Sequence, residues 1–138
     1  MTGLAVIDSS VVHKWLDTLG ERRVDEAVTL LHRHAVGDLV FVAPSLMPVE
    51  VINSLRWKPH LTNEDVRGLA NDLEAINISL LDVTYQRLRA ATDLACRHTL
   101  SVYDALFLQL AEELDCPLVT ADRRAFVGVE TPVEIRLL

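Results

Sequence analysis

Apolar residues along the chain fall into two patterns, short continuous runs that predict strands and longer stretches with three-to-four spacing that predict helices. The five short runs are LAVID at 4–8, LVFVAPS at 39–45, INISLLDV at 76–83, PLVTAD at 117–122 and VEIRLL at 133–138. Stretches with helical spacing follow each of the first three runs. The pattern therefore predicts strands and helices that alternate along the chain.

Residues typical of helix ends bound the helical stretches. Ser9 begins the first, Gly37 ends the second and Pro48 opens the third. Thr62 and Asp65 resemble a capping box and predict a helix that continues to about Ile76. Two more helices are predicted, over residues 85–98 and over 103–115, and the apolar residues of the last cover more than half of its circumference.

Alternating strands and helices imply right-handed crossovers, a mainly parallel sheet and helices on both of its faces. We therefore predict a three-layer α/β/α fold. The chain has 138 residues and no internal repeat or Gly/Ser-rich linker, which indicates a single domain over residues 1–138.

The net charge of −7 argues against a surface that is basic throughout and binds duplex nucleic acid, although a local basic rim remains compatible with it. No apolar stretch reaches the roughly 18 residues of a membrane span, and the N-terminus lacks the pattern of a secretory signal. These features predict a cytoplasmic protein with no membrane association. Cys96 and Cys116 are too far apart for a zinc motif and are both predicted to be small buried residues.

Four acidic residues fall where the predicted topology brings chain segments together. Asp8 closes the first strand, Asp122 closes the fourth, Glu50 lies in the first turn of the helix after the second, and Asp104 opens the buried helix. In open α/β sheets the loops at the carboxyl ends of the strands diverge and leave a crevice. All four acids are expected at that edge of the sheet.

Each acid taken alone has a structural alternative. Asp8 and Asp122 could cap the helices that follow them, and Glu50 and Asp104 could favour the positive end of a helix dipole. As a group, four carboxylates in a partly dry crevice would raise one another's pKa values unless a cation neutralised them. An all-oxygen acidic site suits Mg²⁺ or Mn²⁺.

The segments that carry these acids resemble the PIN-domain ribonucleases and, among them, the VapC-type toxins of toxin-antitoxin pairs. The matching stretches are VIDSSVVHKWL, PSLMPVEVINSLRW, SVYDALFLQLAEEL and PLVTADRRAF. They occur in the order typical of the family and span nearly the whole chain.

The resemblance implies a PIN-like fold and RNA cleavage that depends on Mg²⁺ or Mn²⁺ and leaves 5′-phosphate and 3′-hydroxyl ends. It also implies a homodimer and inhibition by a small cognate VapB-like antitoxin. Carried over to this chain, the catalytic and metal-binding residues are Asp8, Glu50, Asp104 and Asp122. Ser9 and Thr120 are implied as hydroxyl neighbours, and Asn53, one helical turn beyond Glu50, as a residue that orients it.

An acidic nuclease needs some cations to hold phosphate. The candidates are Lys14, Arg56, Lys58, Arg123 and Arg124. Arg123 and Arg124 directly follow Asp122 and are the strongest of these, together with Lys14, although any exposed Lys or Arg can be an ordinary solvated charge.

Three other protein classes share parts of this pattern. A phospho-signalling receiver domain would need an acidic pair after the first strand and a late lysine, but no lysine follows Lys58. A haloacid-dehalogenase-like phosphatase needs a second Asp two residues after the first, where this chain has Ser10. A catalytically inactive PIN-fold module that binds RNA keeps the fold without the chemistry.

Overall fold

Five parallel strands form one sheet in the order β3-β2-β1-β4-β5. The computed structural model describes residues 3–138. The strands are β1 (Gly3–Ile7), β2 (Leu39–Pro44), β3 (Ser79–Leu81), β4 (Leu118–Thr120) and β5 (Ile135–Leu137). All five lie within or directly beside the five runs predicted from the sequence, and the parallel sheet confirms the predicted α/β fold class.

Helices cover the sheet on both sides. They are α1 (Ser9–Leu16), α2 (Val24–Ala35), α3 (Met47–Arg56), α4 (Asn63–Ile76), α5 (Tyr85–His98), α6 (Val102–Leu114) and the single turn α7 (Arg123–Phe126). Helices α1 to α4 pack against one another, while α5 packs on α6, which contacts β1, β2 and β4. The result is the predicted three-layer arrangement.

Strand β1 lies at the centre of the sheet, and its residues Ala5, Val6 and Ile7 are fully buried. From β1 the chain adds β2 and β3 on one side and then returns to add β4 and β5 on the other. Connections therefore leave the carboxyl end of β1 in one direction and arrive beside it from the other, which opens a crevice there.

Local sequence signals account for most of the helix boundaries. Thr62 and Asp65 form the predicted capping box, with each side chain accepting a hydrogen bond from the other residue's backbone N–H. Gly37, just past α2, has the positive φ of 79° that glycine adopts without strain. Helix α6 is buried continuously from Ala105 to Ala111, as its apolar circumference predicts.

Two expectations were wrong in detail. The third strand is shorter than the INISLLDV run, because α4 continues to Ile76, its C-cap Asn77 is left-handed, and only Ser79–Leu81 pairs with β2. Cys96 is exposed rather than buried, because it lies on the outer side of α5, whereas Cys116 is buried as predicted. Within residues 3–138, no helix is both long and apolar enough to cross a membrane.

Candidate active site

The four predicted acids line one cleft of about 520 Å³ at the carboxyl ends of β1 and β4. We call Asp8, Glu50, Asp104 and Asp122 the acidic centre. The cleft continues along α1 and the end of α3, where polar and charged side chains line it. We call this second group the polar wall; it consists of His13, Lys14, Glu21, Ser54 and Lys58.

Asp8 is the most buried member of the acidic centre, with 4 % of its surface exposed. Its backbone N–H donates to the Val119 carbonyl at 2.9 Å, which fixes the end of β1 against β4. Although Asp8 occupies the N-cap position of α1, its side chain makes no capping hydrogen bond. The Asp8 carboxylate therefore does not cap α1.

Two hydroxyl groups hold the Asp8 carboxylate instead. Its Oδ2 accepts a hydrogen bond from Ser10 Oγ at 2.6 Å and another from Thr120 Oγ1 at 2.8 Å. The same hydroxyls accept from the backbone N–H groups of Ala121 and Asp122 at 2.9 and 3.0 Å. Thr120 thus contacts Asp8 directly, and the turn after β4 is tied to the Asp8 side chain.

Glu50 is held from across the cleft, because Ser9 Oγ donates to Glu50 Oε1 at 2.5 Å. Ser9 therefore contacts Glu50 rather than Asp8. Asn53 makes no hydrogen bond to Glu50, and both residues belong to the part of the chain that the structure describes. Asn53 is exposed and lines a separate shallow depression with Pro48, Val49, Ile52 and Arg56. No contact supports its predicted role in orienting Glu50.

The remaining two acids sit at helix starts. Asp122 Oδ1 accepts from the backbone N–H of Ala125 at 3.0 Å and caps α7. One of the two carboxylate oxygens of Asp122 therefore has the capping role that the sequence allowed. Asp104 lies in the first turn of α6, where its own N–H donates to Ser101 Oγ at 3.0 Å. Both side chains are half-buried and line the cleft.

The acidic centre carries charge that its surroundings do not compensate. Burial raises the pKa of Asp8 from 3.8 to about 6; the hydroxyls of Ser10 and Thr120 oppose this shift, and the charges of Asp104 and Glu50 add to it. Burial likewise raises the pKa of Asp104; the Ser101 hydroxyl near its side chain opposes this shift, and the charge of Asp122 adds to it. The carboxylates repel one another as the sequence predicts.

Comparison with known proteins identifies the family. The family model for the PIN domain matches residues 5–130. The chain belongs to the PIN domain family. This membership agrees with the resemblance stated above and excludes the receiver and dehalogenase classes that share parts of the pattern.

This PIN domain is similar to ribonuclease VapC1 of Mycobacterium tuberculosis, with 28 % identity over 81 % of this chain and 85 % of that protein. Solved structures of similar fold include VapBC2 from Rickettsia felis bound to a promoter DNA fragment, with a TM-score of 0.71 and 12 % identity over 98 % of both chains. Another is the Mycobacterium tuberculosis toxin VapC20, which cleaves the sarcin-ricin loop, with a TM-score of 0.65 and 16 % identity over 90 % of both chains.

PIN domains of the VapC type generally depend on a divalent metal, and the acidic centre fits such an ion in donor type and charge. Its donors are all carboxylate oxygens, which hard cations prefer. As oriented, the described residues hold no three ligating side chains close enough together to bind an ion. The side chains of the acidic centre would therefore have to turn toward a common point.

All four carboxylates of the centre have at least one oxygen available for this movement, and no hydrogen bond from residues 3–138 holds either oxygen of Asp104. Asp8, Glu50 and Asp122 use only one oxygen for the hydrogen bonds described above. Every buried side-chain oxygen and nitrogen of residues 3–138 has a hydrogen-bond partner, so the unpartnered Oδ1 of Asp8 must reach the solvent of the cleft.

The predicted cations differ in how available they are. Lys14 is buried, and its Nζ donates to Glu21 Oε1 at 3.2 Å and to the Arg22 carbonyl at 2.6 Å. Lys58 lines the cleft and has no ion pair with any of residues 3–138. The guanidinium of Arg56 stacks over Trp57, 4.9 Å from the ring centroid.

Arg123 and Arg124 are exposed beside the cleft rather than among its lining residues. Arg123 Nε donates to the Leu138 carbonyl at 3.1 Å, which ties α7 to the end of β5. If Arg123 and Arg124 contact phosphate as predicted, they do so at the rim of the cleft and not inside it.

Sequence reasoning missed Ser10, His13, Ser54 and Glu21 as residues of the cleft. Ser10 had a usable signal, because a serine two residues after an acid can donate back to its carboxylate. His13 and Ser54 had none, because their contact joins residues 41 positions apart.

Proposed function

We propose that this PIN domain is a divalent-metal-dependent endoribonuclease and the toxin of a type II toxin-antitoxin pair. The observation that carries the proposal is the acidic centre, in which four carboxylates line one cleft and the most buried of them has its pKa raised to about 6. The similarity to a ribonuclease of the VapC type supports RNA as the substrate.

In this proposal Asp8, Asp104 and Asp122 hold Mg²⁺ or Mn²⁺ directly or through water, and Glu50 is a further ligand. When bound, the ion lowers the pKa of a water molecule and offsets charge on the scissile phosphate. Ser10 and Thr120 fix the orientation of the Asp8 carboxylate, because both donate to its Oδ2. Ser9 restrains Glu50 in the same way.

We also propose that the chain binds a small VapB-like antitoxin and forms a homodimer. Similarly folded proteins that were solved as VapBC complexes support the antitoxin, and the resemblance to the VapC-type toxins implies the homodimer. A depression with apolar walls on α3, formed by Pro48, Val49 and Ile52, leaves Val49 64 % exposed and suits a protein contact. Because the substrate is cellular RNA, the proposed compartment is the cytoplasm.

The direct test is incubation of the purified protein with total cellular RNA, with and without Mn²⁺, followed by mapping of new 5′-phosphate ends. We expect a small set of discrete ends that require both the protein and the metal. Ends identical to those produced by metal alone would contradict the proposed activity.

The partner proposal has its own experiment. The chain is co-expressed with the small reading frame beside its gene, and the purified material is analysed by size-exclusion chromatography with light scattering. We expect a stable complex containing both proteins, in which RNA cleavage is suppressed. A monomer that does not bind the protein encoded by the neighbouring reading frame would contradict this proposal without affecting the nuclease assignment.

A further inference from the structure

Helices α1 and α3 are joined by two polar contacts that follow each other along the cleft. Ser9 contacts Glu50, and one helical turn later on both helices His13 Nδ1 contacts Ser54 Oγ at 3.0 Å. Four residues of α-helix rise about 6 Å. His13 therefore lies about 6 Å further along α1 than Ser9, on the wall along which a bound strand would continue.

The contact with Ser54 fixes which ring nitrogen of His13 carries hydrogen. We assign the hydrogen of this contact to His13 Nδ1, because the shorter contact of Ser54 Oγ, at 2.7 Å to the Val51 carbonyl, uses its only proton. In the neutral ring this leaves Nε2 as a hydrogen-bond acceptor.

His13 is neutral at pH 7, because burial lowers its pKa below the ordinary value of 6.5. The charges around it act in both directions: Glu21 and Asp17 raise the pKa, and Lys58 and Lys14 lower it. Nε2 has no hydrogen-bond partner among residues 3–138 and so opens to the solvent of the cleft. The wall thus presents an acceptor that can pair with O–H or N–H groups but not with an anionic phosphate oxygen.

Lys58 supplies the complementary group. It follows Ser54 by four residues, lines the same cleft and is close enough for its charge to lower the pKa of His13. An ammonium without an ion pair beside a neutral acceptor matches the alternation of phosphate and sugar along a nucleic-acid strand.

We propose that His13 Nε2 accepts a hydrogen bond from a nucleotide next to the scissile phosphate, while Lys58 binds the neighbouring phosphate. The donor on RNA is either a ribose 2′-hydroxyl or an exocyclic amino group of a base. The 2′-hydroxyl would also let the site distinguish RNA from DNA. The inference rests on the proposed nuclease function and assigns a substrate contact within it.

The test uses a synthetic 12-nucleotide RNA that spans the most frequent cleavage site found by mapping. His13→Asn keeps a donor toward Ser54 but removes the acceptor at Nε2, whereas His13→Gln restores an acceptor further along the side chain. We expect His13→Asn to raise KM about 3- to 10-fold, the range for one neutral hydrogen bond, with kcat little changed and partial rescue by Gln.

Modified RNAs identify the donor. Single 2′-deoxy substitutions at each flanking position test the ribose; inosine for guanosine, purine riboside for adenosine and pyrimidin-2-one riboside for cytidine remove the exocyclic amine and test the base. At the position that contacts His13, the modification should raise the KM of the wild type by the same factor as His13→Asn raises it on unmodified RNA. The modification should not raise the KM of His13→Asn any further. Equal losses by both proteins at every modified position would overturn the assignment of His13.

Lys58→Gln tests the phosphate contact, with Arg97→Gln as the control because Arg97 pairs with Asp93 on the exposed face of α5. We expect only Lys58→Gln to raise KM and to reduce the salt slope of log KM by about 0.7. An unchanged slope would overturn this contact. If the wild type cleaves no RNA, the proposed function fails and this inference fails with it. If the wild type cleaves RNA and both His13→Asn and Lys58→Gln have a wild-type KM, only the inference is contradicted.

Discussion

In the acidic centre, Asp8 is buried beside other carboxylates and its pKa is raised to about 6. In the polar wall of the same cleft Lys14 is almost as buried, at 7 % exposed, yet its ammonium is held by Glu21 and the Arg22 carbonyl. The fold therefore pairs the buried charge of Lys14 and leaves the buried charge of Asp8 without an opposite charge beside it. Uncompensated buried charge is costly unless a ligand neutralises it, which supports the proposal that the metal binds at the acidic centre.

The largest expected effect comes from breaking the acidic centre with Asp8→Asn. If this carboxylate holds the metal, the substitution lowers the rate of RNA cleavage by about 100- to 1,000-fold or more, because charge stabilisation at the phosphate is lost. Single-turnover cleavage of the mapped RNA in Mn²⁺ measures it. Asp72→Asn, a matched change of an exposed acid on α4, should leave the rate unchanged. Wild-type speed for Asp8→Asn would remove Asp8 from the metal site.

The same substitution should stabilise the metal-free protein. Asp8 has a folded pKa of about 6 against an ordinary value of 3.8, so the folded state holds the extra proton between these values. Its stabilising contribution is fully present below the unfolded pKa and is lost as the pH rises through about 6. The wild type should therefore lose up to about 3 kcal/mol from this group between pH 4 and pH 7.5.

Urea unfolding of wild type and Asp8→Asn across that range, without metal, measures the difference. The free energy of unfolding of Asp8→Asn should rise relative to that of the wild type as the pH rises. Mn²⁺ should raise the urea midpoint of the wild type much more than that of the variant. Parallel pH profiles for the two proteins would show that Asp8 is not the destabilising charge.

Removing the paired charge of Lys14 should lower the stability of the fold, whereas Asp8→Asn should raise it. Lys14→Met keeps most of the apolar stem but leaves Glu21 and the Arg22 carbonyl without their ammonium, and we expect a loss of about 1–2 kcal/mol in the free energy of unfolding. Urea unfolding at pH 7 measures this loss. A salt slope of KM that falls while stability stays unchanged would instead assign Lys14 to RNA binding, as the sequence predicted.

The smallest expected effect is at the rim, where Arg124→Glu should weaken RNA binding several-fold and flatten its salt dependence. Arg124 is exposed and follows Asp122 by two residues, so a contact to phosphate would be solvent-screened. Salt titration of KM checks it, with Arg67→Glu on the exposed side of α4 as the control. Equal slopes for the two variants would mean that the rim does not contact RNA.

Local patterns were enough to predict the acidic centre. Asp8 ends an apolar run and Asp122 ends another, and the parallel order of strands brings such positions to one edge. The partners of these acids could not be predicted in the same way. Ser9 contacts Glu50 rather than Asp8, and Asn53, on a helix with the right spacing, faces a separate depression.

By itself the sequence determined the alternation of strands and helices, the helix caps and the edge at which the acids gather, because each depends on short-range periodicity and on simple rules of connection. Only the tertiary structure decided which hydroxyl meets which carboxylate, that Lys14 is already paired, and that His13 presents a free acceptor to the cleft. Those contacts depend on how far each helix is rotated and shifted against its neighbours. Packing across the whole core sets that rotation and shift, and no local pattern encodes them.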